Sequence, residues 1–494
     1  MNDRYDLDTL TNAKRIHILG IAGTAMGTFA GMLKARGLEV RGSDAAAYPP
    51  MSDQLAIQGI PLMLGYAPEN LDWGPDFVIV GNVIRQVNPE ATAMRDRGLP
   101  HASFPEAFGH LFLNDRRPIV ITGTHGKTTT TSLIAWLLEH GGARPGLFVG
   151  GVPLNFGRSF RLGDGTPFVV EGDEYDTAYF DKAPKFLHYA PQVGVITNIE
   201  FDHADIFANV EVIEGWFERF ARLLPPGGRL VVHGAEARAR RAAAAALCPV
   251  ETYGRGAALR AAGLDAPNWR AEDVSLDSDG ATFHLWQGDR DHGVFQSPLP
   301  GLHNVDNTIA ALAVVLGDGI PPETARQGLA LFKSVKKRQE IKGIVHGVTV
   351  IDDFAHHPTA VRETVSAIAA RHVRQPGARL FCCFEVESNT SRRRVFQDDY
   401  APAFAGASAV LFCKPLDKPD NLPEEARLQL PEVVRSLEAM GIESHLIPEV
   451  DDIIAWLVPR LRDGDVVLGM SGRHFHGFHD RLLAALKARD MARP

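Results

Sequence analysis

The sequence predicts an α/β protein built from three domains. Three times along the chain, near residues 15, 117 and 347, a short apolar strand runs into a turn and then a helix. The chain has 494 residues, and single hydrophobic cores stop growing near roughly 250–300 residues. Hydrophobic residues make up 45% and charged residues 22% of the chain, values typical of folded proteins. We place the domain joins near 112 and 335, which gives domains 1–112, 113–335 and 336–494.

Composition excludes several classes of function. A net charge of −9 argues against a general nucleic-acid surface. No apolar run reaches the roughly 18–20 residues that span a bilayer, and the polar start lacks the apolar region of a signal peptide. The four cysteines have no CxxC spacing, so neither a disulfide framework nor a cysteine metal site is indicated. We therefore expect a cytoplasmic protein without membrane or nucleic-acid partners.

The first domain begins with a strand–helix–strand pattern, which indicates a parallel sheet. A strand at 15–22 is followed by a helix through Met26–Lys34 and a second strand that ends at Asp44. The turn carries glycines at 20, 23 and 27, which do not match GxGxxG, although Asp44 stands where an acid could meet a ribose hydroxyl. A nicotinamide-dependent dehydrogenase therefore stays open. Close helix–strand packing is the structural explanation of the same glycines.

A glycine-rich loop between a strand at 119–121 and a helix is the strongest single signal. Its residues are Gly123, Thr124, His125, Gly126, Lys127, Thr128 and Thr129. Glycines let backbone N–H groups turn toward phosphate oxygens, and the helix N-terminus adds a favourable dipole. Lys127 can reach the β- and γ-phosphates, and the Thr128 hydroxyl can bind Mg²⁺. Ile121 stands where the full GxxxxGK[ST] pattern has glycine, so a chance match is the alternative, but the flanking strand and helix favour an ATP site.

Two polar clusters follow later predicted strands. The acidic run 171–176 comes at the end of a strand at 166–173, and Asp202 with His203 follows a strand at 192–200. Strand ends of a parallel sheet open onto one edge, where ligands bind. Mg²⁺ usually takes one or two carboxylates together with substrate phosphates. Either cluster alone could be a solvated turn, but their convergence with the glycine loop favours a functional crevice.

Seven short motifs, among them those described above, resemble the motifs of a known family. The runs GIAGTAMG, GTHGKTTT, EGDEYD, TNIEFDH, GLHNVDN, KKRQEIKG and DDFAHHPT occur in family order over nearly the whole chain. The sequence therefore resembles the Mur ligases, the ATP-dependent amide-forming enzymes of peptidoglycan synthesis. GTHGKTTT and DDFAHHPT resemble the branch that uses UDP-N-acetylmuramate itself, which contains an alanine-adding ligase and a ligase that reattaches a recycled tripeptide. GSDAAAYPPMSDQL, YFDKAPKFLHYAP, EFDHADIF and SNT at 388–390 are similar to the recycling enzyme.

The resemblance implies a Rossmann-like UDP-binding domain, a central P-loop-like ATPase domain and a C-terminal Rossmann-like domain for the peptide. The residues it implies for the UDP-sugar are Gly20, Ala22, Gly23, Thr24, Ser43, Asp44 and Asn82. Besides the glycine loop, it implies Asn304, Asn307, Arg338, Asp353 and His356 for ATP. Thr128 with Glu171 would hold one Mg²⁺ and His203 would support a second, and Lys127, His203 and Arg338 would be catalytic.

The chain departs from the family at the second metal and at the acceptor site. Residues 204–224 contain no lysine where several Mur ligases carry a carbamoylated one, and Glu218 stands near that place. Glu387 and Arg473 fall where recycling enzymes usually have arginine and glycine. The available acceptor candidates are Ser388, Asn389, Arg392, Arg473 and His474. We expect a ligase that joins UDP-N-acetylmuramate to L-alanyl-γ-D-glutamyl-meso-diaminopimelate, with the alanine-adding ligase and a nicotinamide-dependent dehydrogenase as alternatives.

Overall fold

The computed structural model describes residues 7–48, 51–415 and 422–491. Residues 1–6 of the polar start and the Pro49–Pro50 pair, both used in the sequence predictions, lie outside the described residues. Three sheets of five, ten and six strands, each packed with helices, confirm the predicted α/β fold class. The joins at 112 and 335 stay predictions. None of the helices in the described ranges combines the length and apolar character needed to cross a membrane.

The first sheet has five parallel strands in the order β3-β2-β1-β4-β5. Its strands are β1 Arg15–Leu19, β2 Glu39–Asp44, β3 Leu62–Leu64, β4 Phe77–Val80 and β5 His101–Ser103. Its helices are α1 Asp8–Asn12, α2 Thr24–Ala35, α3 Met51–Ile57, α4 Pro89–Asp96 and α5 Phe104–Phe108. The strand order reverses direction at β1, so the turn after β1 lies at the position where ligands bind in such sheets.

The central sheet has ten strands in the order β17-β16-β15-β14-β13-β12-β6-β9-β7-β8. Its strands and a separate β10–β11 hairpin are β6 Arg117–Thr122, β7 Gly146–Phe148, β8 Phe160–Arg161, β9 Pro167–Glu171, β10 Asp176–Ala178, β11 Asp181–Pro184, β12 Val193–Ile196, β13 Arg229–His233, β14 Val250–Arg255, β15 Trp269–Asp277, β16 Gly280–Gln287 and β17 Arg290–Ser297. The helices are α6 Lys127–His140, α7 Val210–Leu223, α8 Ala237–Ala243, α9 Gly256–Ala261, α10 Leu302–Gly317 and α11 Pro322–Ala330. β6, β9 and β12 are parallel neighbours, so their carboxyl ends meet at one edge.

The third sheet has the order β18-β19-β23-β20-β21-β22 and is parallel except for its first strand. Its strands are β18 Glu340–Val345, β19 Val348–Asp353, β20 Leu380–Phe384, β21 Ala409–Phe412, β22 Glu443–Leu446 and β23 Val466–Met470. Its helices are α12 Pro358–His372, α13 Tyr400–Ala403, α14 Leu430–Ala439, α15 Val450–Leu457 and α16 Phe478–Met491. The segments after β19, β20 and β23 therefore share one edge of this sheet.

The first and central domains share an apolar core, whereas the third domain has its own. Phe104 and Phe108 of α5 pack on Phe148 of β7, with ring centroids 5.4 and 4.9 Å apart. α5 is fixed at its start by a capping box between Ser103 and Glu106. The two clusters of buried residues in the third domain contain only residues from 348 onward. The third domain therefore meets the central domain outside these cores, through hydrogen bonds such as Thr359 to Glu200 and through ring contacts such as Phe201 with Phe396, whose centroids are 6.3 Å apart.

Candidate functional site

Two positions of the glycine-rich loop require glycine, because the backbone is left-handed there and neighbouring atoms leave no room for a side chain. Gly123 and Gly126 have φ of 129° and 83°. A Cβ on Gly123 would lie 2.0 Å from Oγ1 of Thr197, and one on Gly126 would lie 2.4 Å from Oδ1 of Asn307. Asn198 accepts a hydrogen bond from the His125 amide with its side-chain oxygen, at 2.8 Å. The loop after β6 therefore packs against the end of strand β12 and against helix α10.

Lys127 lies inside this loop and among carboxylates. Its Nζ donates to the carbonyl oxygens of Gly123 at 2.6 Å and Thr124 at 3.1 Å, and to Glu174 Oε2 at 2.8 Å. Burial disfavours the ammonium, but Glu174 and the other nearby carboxylates outweigh it and raise the pKa of Lys127 above its usual value. The lysine is therefore charged at neutral pH, and its contact to phosphate stays a prediction.

Thr128 and Glu171 form a set of hard oxygen donors at the start of α6. The Thr128 hydroxyl donates to Glu171 Oε1 at 2.9 Å, and the Gly150 amide donates to Glu171 Oε2 at 2.8 Å. Nη2 of Arg338 lies 3.5 Å from Oγ1 of Thr128, across the boundary to the third domain. A hydroxyl and a carboxylate beside a phosphate-binding loop are ligands that Mg²⁺ prefers, so these residues fit that ion.

His203 completes the crevice from the loop after β12. Its Nε2 lies 3.1 Å from Glu174 Oε1, and its ring centroid is 4.0 Å from that of Tyr175. Burial lowers the pKa of His203, but Asp202 and Glu174 more than offset this effect and raise the pKa to about 9. Carboxylates that stabilise the protonated imidazole would also stabilise a divalent cation bound to the ring in place of that proton. The carboxylate in contact with His203 is Glu174, which the sequence did not single out. Glu218, named from the sequence near the second metal, lies on α7, and a role there stays a prediction.

The nucleotide residues predicted outside the loop divide into two groups. Asn304 and Asn307 are buried on α10, where Nδ2 of Asn307 donates to Oδ1 of Asn304 at 3.1 Å, and Asn307 packs against Gly126. Asp353 is buried as well, and its carboxylate accepts the amides of Gln339 at 2.8 Å and Ala355 at 2.7 Å. Asp353 thus stabilises the start of the third domain in this structure, and its contact to ribose stays a prediction. The backbone carbonyl of His356 accepts a hydrogen bond from the Tyr400 hydroxyl at 2.8 Å.

The residues predicted for the UDP-sugar surround the turn after β1. Gly23, Thr24 and Asn82 line one pocket together with Thr177 and Lys185 of the central domain. The Ala22 amide donates to Asp44 Oδ2 at 2.9 Å, and Gly20 has φ of 81°. The sequence singles out the run 179–191 for its resemblance but gives Lys185 within it no role, because nothing in its spacing distinguishes it from the neighbouring residues. The pocket lies between the two domains that share the aromatic core.

Ser43 differs from the other UDP-sugar candidates. Its side chain is fully buried, and its hydroxyl donates to Glu90 Oε1 at 2.9 Å. Glu90 also meets His17 at 2.5 Å and accepts from Asn70 at 2.9 Å. The hydroxyl of Ser43 is therefore engaged in a buried polar network, and only its backbone carbonyl faces the turn, where it accepts the Gly20 amide at 2.8 Å.

The acceptor candidates lie on the predicted edge of the third sheet but differ in exposure. Nε of Arg473 is 3.0 Å from Oε2 of Glu387, and the Arg473 side chain is 61% exposed. His474 is also exposed, whereas Arg392 is 5% exposed. Ser388 donates to the Ser391 hydroxyl at 2.9 Å. Asn389 points to the central domain instead, where its Nδ2 donates to Asp205 at 2.7 Å.

A cluster of His125, Glu200 and His357 also brings together atoms that could ligate a metal, within 4.8 Å of one another. Both ring nitrogens of His357 are already engaged, since Nδ1 accepts the Thr359 amide at 3.2 Å and Nε2 meets the Phe201 carbonyl at 3.2 Å. The Thr359 hydroxyl donates to Glu200 at 2.7 Å. Burial lowers the pKa of His357 to about 4, so its ring is neutral. The cluster is a hydrogen-bonded contact between the central and third domains.

Comparison with known proteins connects these features to one family. Residues 15–116 match the model described as "Mur ligase family, catalytic domain", residues 121–315 the "Mur ligase middle domain", and residues 337–473 the "Mur ligase, glutamate ligase domain". The UDP-N-acetylmuramate–L-alanyl-gamma-D-glutamyl-meso-2,6-diaminoheptandioate ligase of Escherichia coli K12 is 37% identical over 96% of this chain and 98% of its own. The UDP-N-acetylmuramate–L-alanine ligase of Clostridium acetobutylicum is 30% identical over 92% of this chain and 94% of its own. The crystal structure of a murein peptide ligase from Psychrobacter arcticus is 32% identical, covers 95% of this chain and 98% of its own, and has a TM-score of 0.71.

Proposed function

This chain belongs to the Mur ligase family of ATP-dependent amide-forming enzymes, and we propose that it joins UDP-N-acetylmuramate to the tripeptide L-alanyl-γ-D-glutamyl-meso-diaminopimelate. The observation that carries the proposal is the convergence of Lys127, Thr128, Glu171 and His203 in one crevice, in a chain 37% identical to a ligase of that name. The nicotinamide-dependent dehydrogenase is set aside, because the first glycine turn falls within a matched Mur ligase domain.

The reaction has two steps. The lactyl carboxylate of UDP-N-acetylmuramate attacks the γ-phosphorus of ATP, which forms an acyl-phosphate and releases ADP. The free amine of the tripeptide then attacks the acyl carbon, and the tetrahedral intermediate collapses to the amide and inorganic phosphate. Charge accumulates on phosphoryl oxygens in the first step, and preorganised cations stabilise such charge most effectively where water is excluded.

The residues of the crevice have separate roles in this scheme. Lys127 and the amides of the glycine loop bind the β- and γ-phosphates, and Arg338 approaches from the third domain. Mg²⁺, held by Thr128 with Glu171 and by His203 in a second position, would neutralise phosphate charge and align the γ-phosphate. The pocket beside Gly23, Asn82 and Lys185 would receive the UDP-sugar. Glu387, Arg473 and their neighbours would bind the acceptor.

This scheme has consequences for metabolism. Because ATP and a UDP-sugar are cytoplasmic metabolites, we place the enzyme in the cytoplasm. Because the acceptor is a peptide rather than a single amino acid, we assign it to the recycling of cell-wall fragments.

The experiment that tests the proposed function measures inorganic phosphate released from ATP. Release is expected only when UDP-N-acetylmuramate, the tripeptide and Mg²⁺ are all present, since the acyl-phosphate forms on the sugar and is consumed by the amine. Omission of any one of them should reduce release to the background. Equal release without UDP-N-acetylmuramate would contradict the proposal, because ATP would then be hydrolysed without ligation.

A further inference from the structure

His203 has a backbone conformation that is unusual for a residue with a side chain. Its φ is 54°, in the left-handed region that favours glycine. Such a conformation is strained in a non-glycine residue and persists only where the surrounding structure enforces it. The direction of the imidazole toward Glu174 depends on this backbone turn. Whatever fixes the turn therefore also fixes the position of the ring.

Two side-chain oxygens hold the amide of His203. The amide lies 2.7 Å from Oδ1 of Asp202 and 3.1 Å from Oγ1 of Thr390. The Thr390 hydroxyl in turn donates to Oδ1 of Asp202. Thr390 is 2% exposed and Asp202 is 5% exposed, so water does not compete at these contacts. The left-handed turn is thus closed by a triangle of hydrogen bonds with one corner in the third domain.

A second contact joins the same two segments. Nδ2 of Asn389 donates to Oδ2 of Asp205 at 2.7 Å. Within the central-domain segment, the carbonyl of His203 accepts hydrogen bonds from the amides of Ile206 and Phe207 at 2.9 and 3.0 Å, so residues 203–207 form a compact turn. Segment 388–390 therefore contacts the turn twice, at the His203 amide and at the Asp205 carboxylate. Ser388 of the same segment points away, to Ser391.

We propose that Thr390 is a positioning residue through which the third domain sets the orientation of His203. This inference rests on the proposed function, in which His203 acts beside the phosphates of ATP. The hydroxyl is supplied 187 residues away from the histidine, so the turn is complete only when the third domain is docked on the central domain. Segment 388–390 also borders the acceptor edge. Docking of the domain that carries the peptide thereby orders the residue needed for the first chemical step.

The test compares Thr390→Val, which removes the hydroxyl at nearly constant volume, with Thr390→Ser, which restores it. Ser444→Ala is the matched control, since Ser444 is also buried in the third domain, lies on the edge strand β22 and donates to the carbonyl of Val434. Hydrogen exchange of the peptide that covers 201–207, measured by mass spectrometry on the free protein, reports the turn without any ligand. Steady-state kinetics with all substrates report its consequence.

We expect Thr390→Val to exchange at least tenfold faster in 201–207 and to lower kcat about tenfold, with the KM for UDP-N-acetylmuramate within twofold of wild type. Thr390→Ser and Ser444→Ala should match the wild-type protein in both measurements. If the valine variant does not fold, Thr390→Ala carries the same expectations. Unchanged exchange in the hydroxyl-free variant, or a serine variant as impaired as valine, would overturn the inference. A wild-type protein without turnover would count against the proposed function, and the exchange data would still decide the role of Thr390.

Discussion

Lys127 shows how single residues in this crevice are prepared for a charged ligand. The ammonium is surrounded by Glu171, Asp173 and Glu174, and its pKa is raised in spite of burial. A cation that already interacts with carboxylates can exchange them for phosphate oxygens with little rearrangement. Sequence reasoning found Lys127 from the loop pattern alone. It did not assign a role to Glu174, because an acid within an acidic run has no spacing that distinguishes the one facing the lysine.

Replacement of this lysine gives the first prediction. Lys127→Ala should lower kcat on the order of 10²–10³-fold, as expected for loss of one transition-state electrostatic group. Binding of UDP-N-acetylmuramate should remain within about threefold, since its pocket lies at the first domain. Calorimetric titration and phosphate release measure the two effects. Lys182→Ala is the control, because Lys182 is exposed and pairs with Asp176 outside the glycine-rich loop. Near-normal turnover of Lys127→Ala would contradict the ATP-site assignment.

The second prediction concerns Asp352, a buried residue on strand β19 of the third sheet. Burial raises its pKa to about 6, and its Oδ1 lies 3.7 Å from His479 Nε2, too far for a hydrogen bond. Burial also lowers the pKa of His479 to about 4, so this histidine is neutral. His479 is itself buried.

A raised carboxyl pKa in the folded state means that the folded protein binds the proton more tightly than the unfolded chain. The contribution of Asp352 to stability is therefore complete below about pH 4 and is lost as pH rises through about 6. Asp352→Asn should thus raise the free energy of unfolding near pH 7.5 by about 1–2 kcal/mol, and this gain should shrink toward pH 4.5. Thermal unfolding at both pH values measures it, with exposed Asp289→Asn as the control. A gain that is the same at both pH values would contradict this account.

Arg473 is the acceptor candidate with the most accessible guanidinium. It pairs with Glu387, which is itself buried, so the arginine is oriented while most of its surface stays free. The tripeptide carries carboxylates that a planar guanidinium can bind through two hydrogen bonds. Arg473→Ala should raise the KM for the tripeptide at least tenfold and change the KM for ATP less than twofold. Arg435→Ala, on the exposed face of α14, is the control. An unchanged KM for the tripeptide would remove Arg473 from the acceptor site.

At the scale of elements, the crevice is made by the carboxyl ends of β6, β9 and β12. The sequence predicts these strands well, because each is a short apolar run that ends in polar residues. It also predicts that their ends converge, since parallel strands share one edge. The sequence does not predict which residues touch across that edge. Glu174 lies in the irregular segment after β9, and Lys185 directly follows the short strand β11. Their contacts to Lys127, His203 and Asp173 depend on how these segments are placed by strands distant in sequence.

The next prediction concerns Mg²⁺ binding by the residues at these strand ends. Glu171→Gln and His203→Ala should each raise the Mg²⁺ concentration for half-maximal activity at least tenfold, because each removes a ligand or charge that holds the ion against phosphate. A Mg²⁺ titration of the initial rate measures this change. Glu438→Gln is the matched control, an acid-to-amide change on the exposed face of α14 in the third domain, and it should titrate as wild type. Wild-type Mg²⁺ dependence in both site variants would refute the proposed metal positions.

At the scale of the whole molecule, two kinds of domain contact are combined. The first and central domains share an apolar core around α5, which is costly to open because it buries several aromatic rings. The third domain is joined through hydrogen bonds such as Thr359 to Glu200 and Thr390 to Asp202. Composition and motif order predict three domains, but not this difference, because it depends on which faces of α5, α12 and the segment after β20 meet. The third domain is the one we expect to move during turnover.

The central claim is that the acceptor is a peptide, and a panel of acceptors tests it most directly. Formation of the UDP-N-acetylmuramoyl product is measured by mass spectrometry with L-alanine, the tripeptide, the tetrapeptide and the pentapeptide, each with ATP, Mg²⁺ and UDP-N-acetylmuramate. We predict a kcat/KM for the tripeptide at least a hundredfold above that for L-alanine. A preference for L-alanine would contradict the account and assign the chain to the alanine-adding reaction.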